Sequence, residues 1–121
     1  MLPKVIQQEE SEEFPTTERC HILEIINAQD NRDYSLARAR VEPGITTTWH
    51  RLNDTTEVYY ILSGQGTVQL GEDFMHDVKA GDTVEIPPNT AQRIANTGVE
   101  DLVFLCYCTP AFGPEAYEEL E

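Results

Sequence analysis

The chain has 121 residues, enough for one domain that buries a core of its own. It carries 22 acidic against 8 basic side chains, which gives a formal net charge of −14. Such a charge repels phosphate backbones and anionic membrane surfaces, so we expect neither nucleic acid nor a membrane as partner.

Residues 1–17 show no periodic pattern and predict an N-terminal arm ahead of the core. Residues 18–112 then contain short segments rich in β-branched and aromatic residues, separated by Gly, Pro, Asn and Asp. These segments are RCHILEIIN, YSLARARV, TEVYYILS, GTVQLG, DTVEI, QRIAN and DLVFLCYC. No stretch before residue 113 has a sustained helical period, so the pattern predicts an all-β sandwich or barrel of antiparallel strands.

The last nine residues, GPEAYEELE, carry the one helical signal of the chain. Pro114 suits a first helical position, and glutamates favour the turn that follows it. Residues 113–121 are therefore predicted to form a short helical tail on the outside of the barrel.

Three cysteines are present, an odd number without the spacing of a secreted disulfide scaffold. No signal peptide or apolar span of membrane length is recognisable, so we expect a reducing cytoplasm. Cys106 and Cys108 share one face of a strand and favour packing as small hydrophobes, although a redox or ligand role stays open.

Polar residues of two neighbouring strands are predicted to meet. Side chains alternate along a strand, so His50 and Leu52 share one face, as do Glu57 and Tyr59 on the next strand. The segment LNDTT between them suits a turn that folds the two strands together. Gln92 follows a double-proline turn and would reach the same interior from a third strand.

Arg40 is a further candidate for the pocket, and its orientation depends on the register of its strand. If Ala37 and Ala39 pack in the core, Arg38 and Arg40 lie at the surface or in a subunit contact. In the opposite register, Arg40 reaches the pocket and holds an anionic ligand.

Two segments combine turn glycines and prolines with polar residues at regular spacings. The first runs Gly44, five residues, His50-Arg51-Leu52, four residues, Glu57, six residues, Gly64; the second runs Gly81, five residues, Pro87-Pro88-Asn89, two residues, Gln92, three residues, Asn96. Together the two segments resemble the cupin superfamily, and the resemblance implies a double-stranded β-helix or jelly roll, in agreement with the strand pattern. It also implies a homodimer, and exposed sheet edges would independently favour one.

In metal-binding cupins the two motifs supply three histidines and a glutamate. His50 and Glu57 match two of these positions, while Leu52 and Gln92 replace histidines. The resemblance thus implies a degenerate site in which His50, Glu57 and Gln92 could hold a divalent ion, with Zn, Ni, Fe, Mn or Cu as candidates. The alternative is a polar network of the same three side chains without metal.

Both alternatives predict a pocket for a small molecule, with Leu52 as an apolar wall and Tyr59 in the lining. One functional hypothesis is an isomerase, cyclase, epimerase or lyase that acts beside a carbonyl, with Glu57 and His50 moving protons. A second is a ligand-binding or sensor module without turnover. A third is an interaction protein with a vestigial pocket, which the replacements at Leu52 and Gln92 favour.

Overall fold

The computed structural model describes residues 2–121 and is built almost wholly from antiparallel strands. In chain order the strands are β1 (Phe14–Pro15), β2 (His21–Ile26), β3 (Ser35–Val41), β4 (His50–Leu52), β5 (Thr56–Ser63), β6 (Gln65–Leu70), β7 (Phe74–Lys79), β8 (Thr83–Ile86), β9 (Gln92–Asn96), β10 (Leu102–Thr109) and β11 (Tyr117–Glu119). One-turn 3-10 helices at Glu10–Glu12 and Pro114–Ala116 are the helical elements of these residues. The predicted all-β fold is confirmed.

The strands form two sheets that enclose the core as a jelly roll. A six-stranded sheet has the order β1-β2-β3-β10-β5-β8, and a five-stranded sheet has the order β11-β4-β9-β6-β7. Val41, Ile61, Ile94 and Leu102 are fully buried between them, because alternate residues of each strand face the interior.

The N-terminal arm is tied to the outside of the six-stranded sheet. Glu13 accepts a hydrogen bond from Arg40 Nη2 at 2.7 Å, and Glu10 accepts one from Arg38 Nη1 at 2.8 Å. β1 then pairs with β2. With both arginines held outside, the alternation of β3 turns Ala37 and Ala39 toward the interior.

The predicted helix over residues 113–121 is wrong for most of its length. After the turn at Pro114–Ala116, the chain forms β11, which pairs antiparallel with β4. A nine-residue helix is marginal by itself, whereas an added strand satisfies the open edge of β4. The pairing is reinforced by the ion pair between Arg51 and Glu118 at 3.0 Å.

The turn before β9 places Gln92 at the start of its strand. Asn89 adopts a positive φ of 64°, a conformation that asparagine tolerates better than most residues. Its side-chain Oδ1 accepts a hydrogen bond from Asp54 N at 2.9 Å, and its own N–H donates to Leu52 O at 2.9 Å. The double-proline turn is thus fixed to the turn between β4 and β5.

Across residues 2–121, no helix has both the length and the apolar character needed to cross a membrane.

A close backbone approach in β6 generates a stability prediction. A Cβ atom at Gly66 would lie 2.6 Å from Ala95 O and 2.8 Å from Leu102 Cδ2, so Gly66→Ala should lower the free energy of unfolding by about 1–3 kcal/mol. Gly98→Ala is the matched control, because its Cβ would meet its nearest neighbour at 3.5 Å. Urea denaturation of both variants checks this, and an equal loss in the two would contradict it.

Candidate functional site

A cavity of about 440 Å³ lies inside the jelly roll and is called the barrel cavity here. Its wall is mainly apolar and includes Ile22, Ala37, Ala39 and Phe104. Polar groups on the same wall include His50, Glu57, Tyr59 and Glu18. A cavity of this size, with an apolar wall and a few convergent polar groups, is typical of small-molecule sites.

Glu57 is the buried carboxyl of the cavity, with 8% of its surface exposed. Gln92 Nε2 donates to Glu57 Oε1 at 2.6 Å and also to the Tyr59 hydroxyl oxygen at 2.9 Å. Cys108 Sγ donates to the other carboxyl oxygen of Glu57 at 3.5 Å. Both oxygens of Glu57 therefore accept hydrogen bonds from the protein.

His50 is also buried, at 4% exposure, and its ring is fixed from two sides. Nδ1 lies 2.6 Å from Thr48 O, and the ring stacks on Tyr117 with 5.1 Å between centroids. A carbonyl oxygen only accepts hydrogen bonds, so Nδ1 carries the proton. In the neutral imidazole, Nε2 then keeps its lone pair.

The strand pairing explains why these side chains meet. His50 of β4 is paired with Gln92 of β9 in the five-stranded sheet. Glu57 lies on β5 of the opposite sheet, where it is paired with Cys108. Gln92 has 1% exposure and stands behind Glu57, outside the cavity wall. Leu52 and Tyr59 both line the cavity.

Arg40 does not line the cavity, so its assignment as a pocket residue is wrong. Its guanidinium lies outside the barrel, paired with Glu13 at 2.7 Å and with Asp101 at 3.2 Å. Ala37 and Ala39 occupy the interior face of β3 instead. The cavity wall contains no arginine or lysine among residues 2–121.

Two residues of the site were missed from the sequence. Glu18 lies just before β2, in a segment without any motif, and nothing in the sequence signals its inward direction. Tyr117 was placed on the predicted tail helix, and its contact with His50 follows only from β11 being a strand. Recognising the open edge of β4 would have been the available signal for Tyr117.

Burial controls the protonation of the groups inside the cavity. Loss of solvation raises the pKa of the Glu57 carboxyl above its ordinary value, although the hydrogen bond from Gln92 acts in the opposite direction. Burial likewise raises the pKa of the Tyr59 hydroxyl and that of the Cys108 thiol, and it raises the pKa of Cys20 to about 11. The thiols are therefore protonated near neutral pH and are poor nucleophiles.

The side chains present do not fit a bound divalent metal. Leu52 offers no lone pair, and Gln92 directs its amide nitrogen, a donor of hydrogen bonds, toward Glu57 and Tyr59. Throughout residues 2–121, no three His, Cys, Asp or Glu side chains are grouped so that they could hold a metal ion. The arrangement is instead a hydrogen-bonded network around Glu57.

The raised pKa of Glu57 generates a prediction on stability against pH. A folded-state pKa above the unfolded value makes the folded protein bind the proton more tightly, so stability falls as pH rises above the ordinary glutamate value of 4.5. Glu57→Gln removes this dependence on pH. The melting temperature of the variant relative to that of the native protein should therefore rise as pH increases above 4.5.

Glu118→Gln is the control of opposite sign. Hydrogen bonds from Asn53 and Arg51 lower the pKa of Glu118, so this variant should lose stability relative to the native protein as pH rises toward 4.5, with no further change above that pH. A pH-independent difference between Glu57→Gln and the native protein would contradict the assignment of Glu57 as a desolvated carboxyl.

Two proteins of known sequence align with this chain over most of its length. An uncharacterized protein of Methanocaldococcus jannaschii is 41% identical over 87 residues, which cover 72% of this chain and 69% of the relative. An oxalate-binding protein of Thermotoga maritima is 35% identical over 89 residues, which cover 73% of this chain and 71% of the relative.

Solved structures share the fold. Streptomyces PAC13 with uridine superposes with a TM-score of 0.81 at 22% identity, over 99% of this chain and 92% of that one. Pac13 is described as a nucleoside dehydratase.

Residues 37–108 match the family model for the cupin domain. Together with the two motifs and the jelly roll, this match shows that the chain belongs to the cupin family.

Proposed function

We propose that the protein binds a small, non-anionic molecule in the barrel cavity and transfers protons beside its carbonyl group. The observation that carries this proposal is the presence of a buried carboxyl, Glu57, and a fixed imidazole, His50, on the wall of one cavity. Such a pair suits general acid–base catalysis, in which one group is held protonated and the other is held as a base.

The roles follow from the environment of each group. Burial favours the protonated carboxylic acid at Glu57, which makes it the proton donor. The hydrogen bond to Thr48 fixes the Nδ1 proton of His50, so Nε2 is the proton acceptor. The apolar wall and Leu52 hold the nonpolar part of the substrate.

Dehydration of a β-hydroxy carbonyl compound illustrates the chemistry. His50 Nε2 removes the proton on the carbon beside the carbonyl, and the electron pair of that C–H bond forms the new C=C bond. The C–O bond to the hydroxyl breaks, and the hydroxyl leaves as water with the Glu57 proton. Isomerisation uses the same first transfer, with the proton returned to a neighbouring carbon.

The charge of the cavity argues against an anionic substrate. Glu18 and Glu24 line it, and no arginine or lysine of its wall among residues 2–121 compensates them. The fold is shared with Pac13, a nucleoside dehydratase, which supports an elimination on this scaffold at the level of fold alone. Oxalate, the ligand of the Thermotoga relative, would meet carboxyl groups rather than cations in the cavity of this chain.

A second candidate function is ligand binding without turnover. It is favoured by one observation, that both oxygens of Glu57 already accept hydrogen bonds from Gln92 and Cys108. A carboxyl satisfied in this way suits a rigid pocket wall as well as a proton donor.

Deuterium incorporation tests the catalytic proposal. With 2-hydroxyacetophenone, an uncharged hydroxyketone with an apolar ring, the native protein should exchange the protons beside the carbonyl in D₂O, followed by proton NMR. His50→Asn and Glu57→Gln should each slow the exchange by at least about 100-fold, because each removes one partner of the transfer. Pretreatment with EDTA should leave the rate unchanged.

His21→Asn is the control, because His21 lies outside the cavity and pairs with Glu42 at 3.5 Å. Equal losses in His21→Asn and His50→Asn would contradict the proposed base. Shifts of cavity resonances without any exchange would instead favour the binding module.

Calorimetric titration with oxalate tests the charge argument. In chelator-treated protein, oxalate should show no binding up to millimolar concentration, because the dianion would face the cavity carboxyls. Stoichiometric binding of oxalate to chelator-treated protein would contradict the exclusion of anions.

A further inference from the structure

Glu18 differs from Glu57 in having a free carboxylate. Both line the barrel cavity, but in residues 2–121 the Glu18 carboxylate has neither a hydrogen-bond donor nor an ion-pair partner, whereas Glu57 has donors on both oxygens. Burial raises the pKa of Glu18, so ionisation of this carboxyl is costly until a cationic partner stabilises it. A carboxylate partly withdrawn from water without a donor is costly, and a ligand that supplies the donor recovers that cost.

The backbone around Glu18 holds this carboxyl in place. Thr16 Oγ1 accepts a hydrogen bond from Glu18 N at 3.2 Å, and Glu18 O accepts one from Thr48 N at 3.1 Å. The next residue, Arg19, has a positive φ of 69°, an unusual conformation for a residue other than glycine. This turn directs Arg19 outward to Glu121, at 2.7 Å, while Glu18 faces inward.

The hydrogen bond to Thr48 also ties Glu18 to the site. Thr48 is 1% exposed, and its carbonyl oxygen contacts His50 Nδ1 at 2.6 Å. The N–H group of Thr48 thus holds the Glu18 backbone, and the carbonyl group of Thr48 holds the His50 ring. Glu18 is part of the preformed wall rather than a mobile surface side chain.

The rest of the wall suits a cation with an apolar body. Phe14, Tyr59 and Phe104 line the cavity, and aromatic rings can stabilise a nearby cation. No basic side chain among residues 2–121 competes for Glu18 from the cavity wall. A protonated amine would donate charge-assisted hydrogen bonds to the free carboxylate, and its apolar part would contact the aromatic and aliphatic wall.

We propose that Glu18 is a specificity-determining residue, which selects a ligand with an ammonium group on an apolar body. The inference rests on the proposed function in that it takes the barrel cavity as the ligand site. It adds the chemical class of the ligand and assigns the recognition of its charge to Glu18, separately from the proton transfer at Glu57 and His50.

Three probes with the same ring test this selection: benzylamine, benzyl alcohol and benzoate at neutral pH. Binding is followed by carbon–proton NMR of the Ile22, Ala37 and Ala39 methyl groups, which line the cavity. In the native protein, the dissociation constant for benzylammonium should be at least about tenfold below that for benzyl alcohol, as expected of a charge-assisted hydrogen bond, and benzoate should bind weakest.

Glu18→Gln should abolish the preference for the amine, and the dispersion of the cavity methyl signals without ligand reports that the variant is folded. Glu85→Gln is the control, because Glu85 is exposed on β8 outside the cavity and the substitution changes the net charge equally. It should retain the preference. Survival of the preference in Glu18→Gln, or its equal loss in Glu85→Gln, would overturn the role of Glu18.

The two proposals fail in different ways. If benzyl alcohol shifts the cavity methyl groups but benzylammonium has no advantage, the cavity remains a ligand site and the selection by Glu18 is refuted. If none of the three probes shifts these methyl groups, both the ligand class and the cavity as a binding site are refuted.

Discussion

The hydrogen bond from Gln92 to Glu57 joins the two sheets inside the barrel, and the candidate site is organised around it. Gln92 belongs to β9 and Glu57 to β5, and the two groups are 2.6 Å apart with 1% and 8% exposure. A buried carboxyl without a donor would be costly, so this contact is what allows Glu57 to remain inside. The pairing of His50 with Gln92 then brings the imidazole to the same interior.

Two residues, Leu52 and Gln92, distinguish this network from a metal-binding arrangement. Leu52 replaces a donor by a hydrocarbon, and Gln92 uses its amide nitrogen to stabilise the Glu57 carboxyl instead of offering an oxygen to a cation. In the proposed function, His50 and Glu57 then act as an acid–base pair without a metal. The same proposal excludes anionic substrates, because the cavity wall carries carboxyls without a basic side chain in the described part of the chain.

Much of the fold was predictable because its determinants are local. The short alternating segments predicted the strands of the barrel, and the loop between His50 and Glu57 suited a turn. The register of β3 was left open by the sequence, since either face of its alternating pattern could have been buried. The ion pairs of the arm with Arg38 and Arg40 decide it, and they join residues distant in sequence.

The conformation of the C-terminal segment and the direction of the Glu18 side chain could not be predicted from the sequence, because both depend on contacts with distant residues. The local signals of GPEAYEELE favour a helix, yet the open edge of β4 converts Tyr117–Glu119 to a strand and places Tyr117 on His50. The direction of Glu18 depends on the positive φ of Arg19 and on a backbone hydrogen bond to Thr48. Neither of these two constraints can be recognised from the local sequence.

The most direct test of the metal-free network is long-range proton–nitrogen NMR of the His50 ring in chelator-treated protein, before and after addition of one equivalent of Zn²⁺. The account predicts a proton on Nδ1, held by the hydrogen bond to Thr48 O, and an Nε2 signal unchanged by zinc. A shift of Nε2 to a coordinated position on addition of zinc would show that the cavity is a metal site and would contradict it.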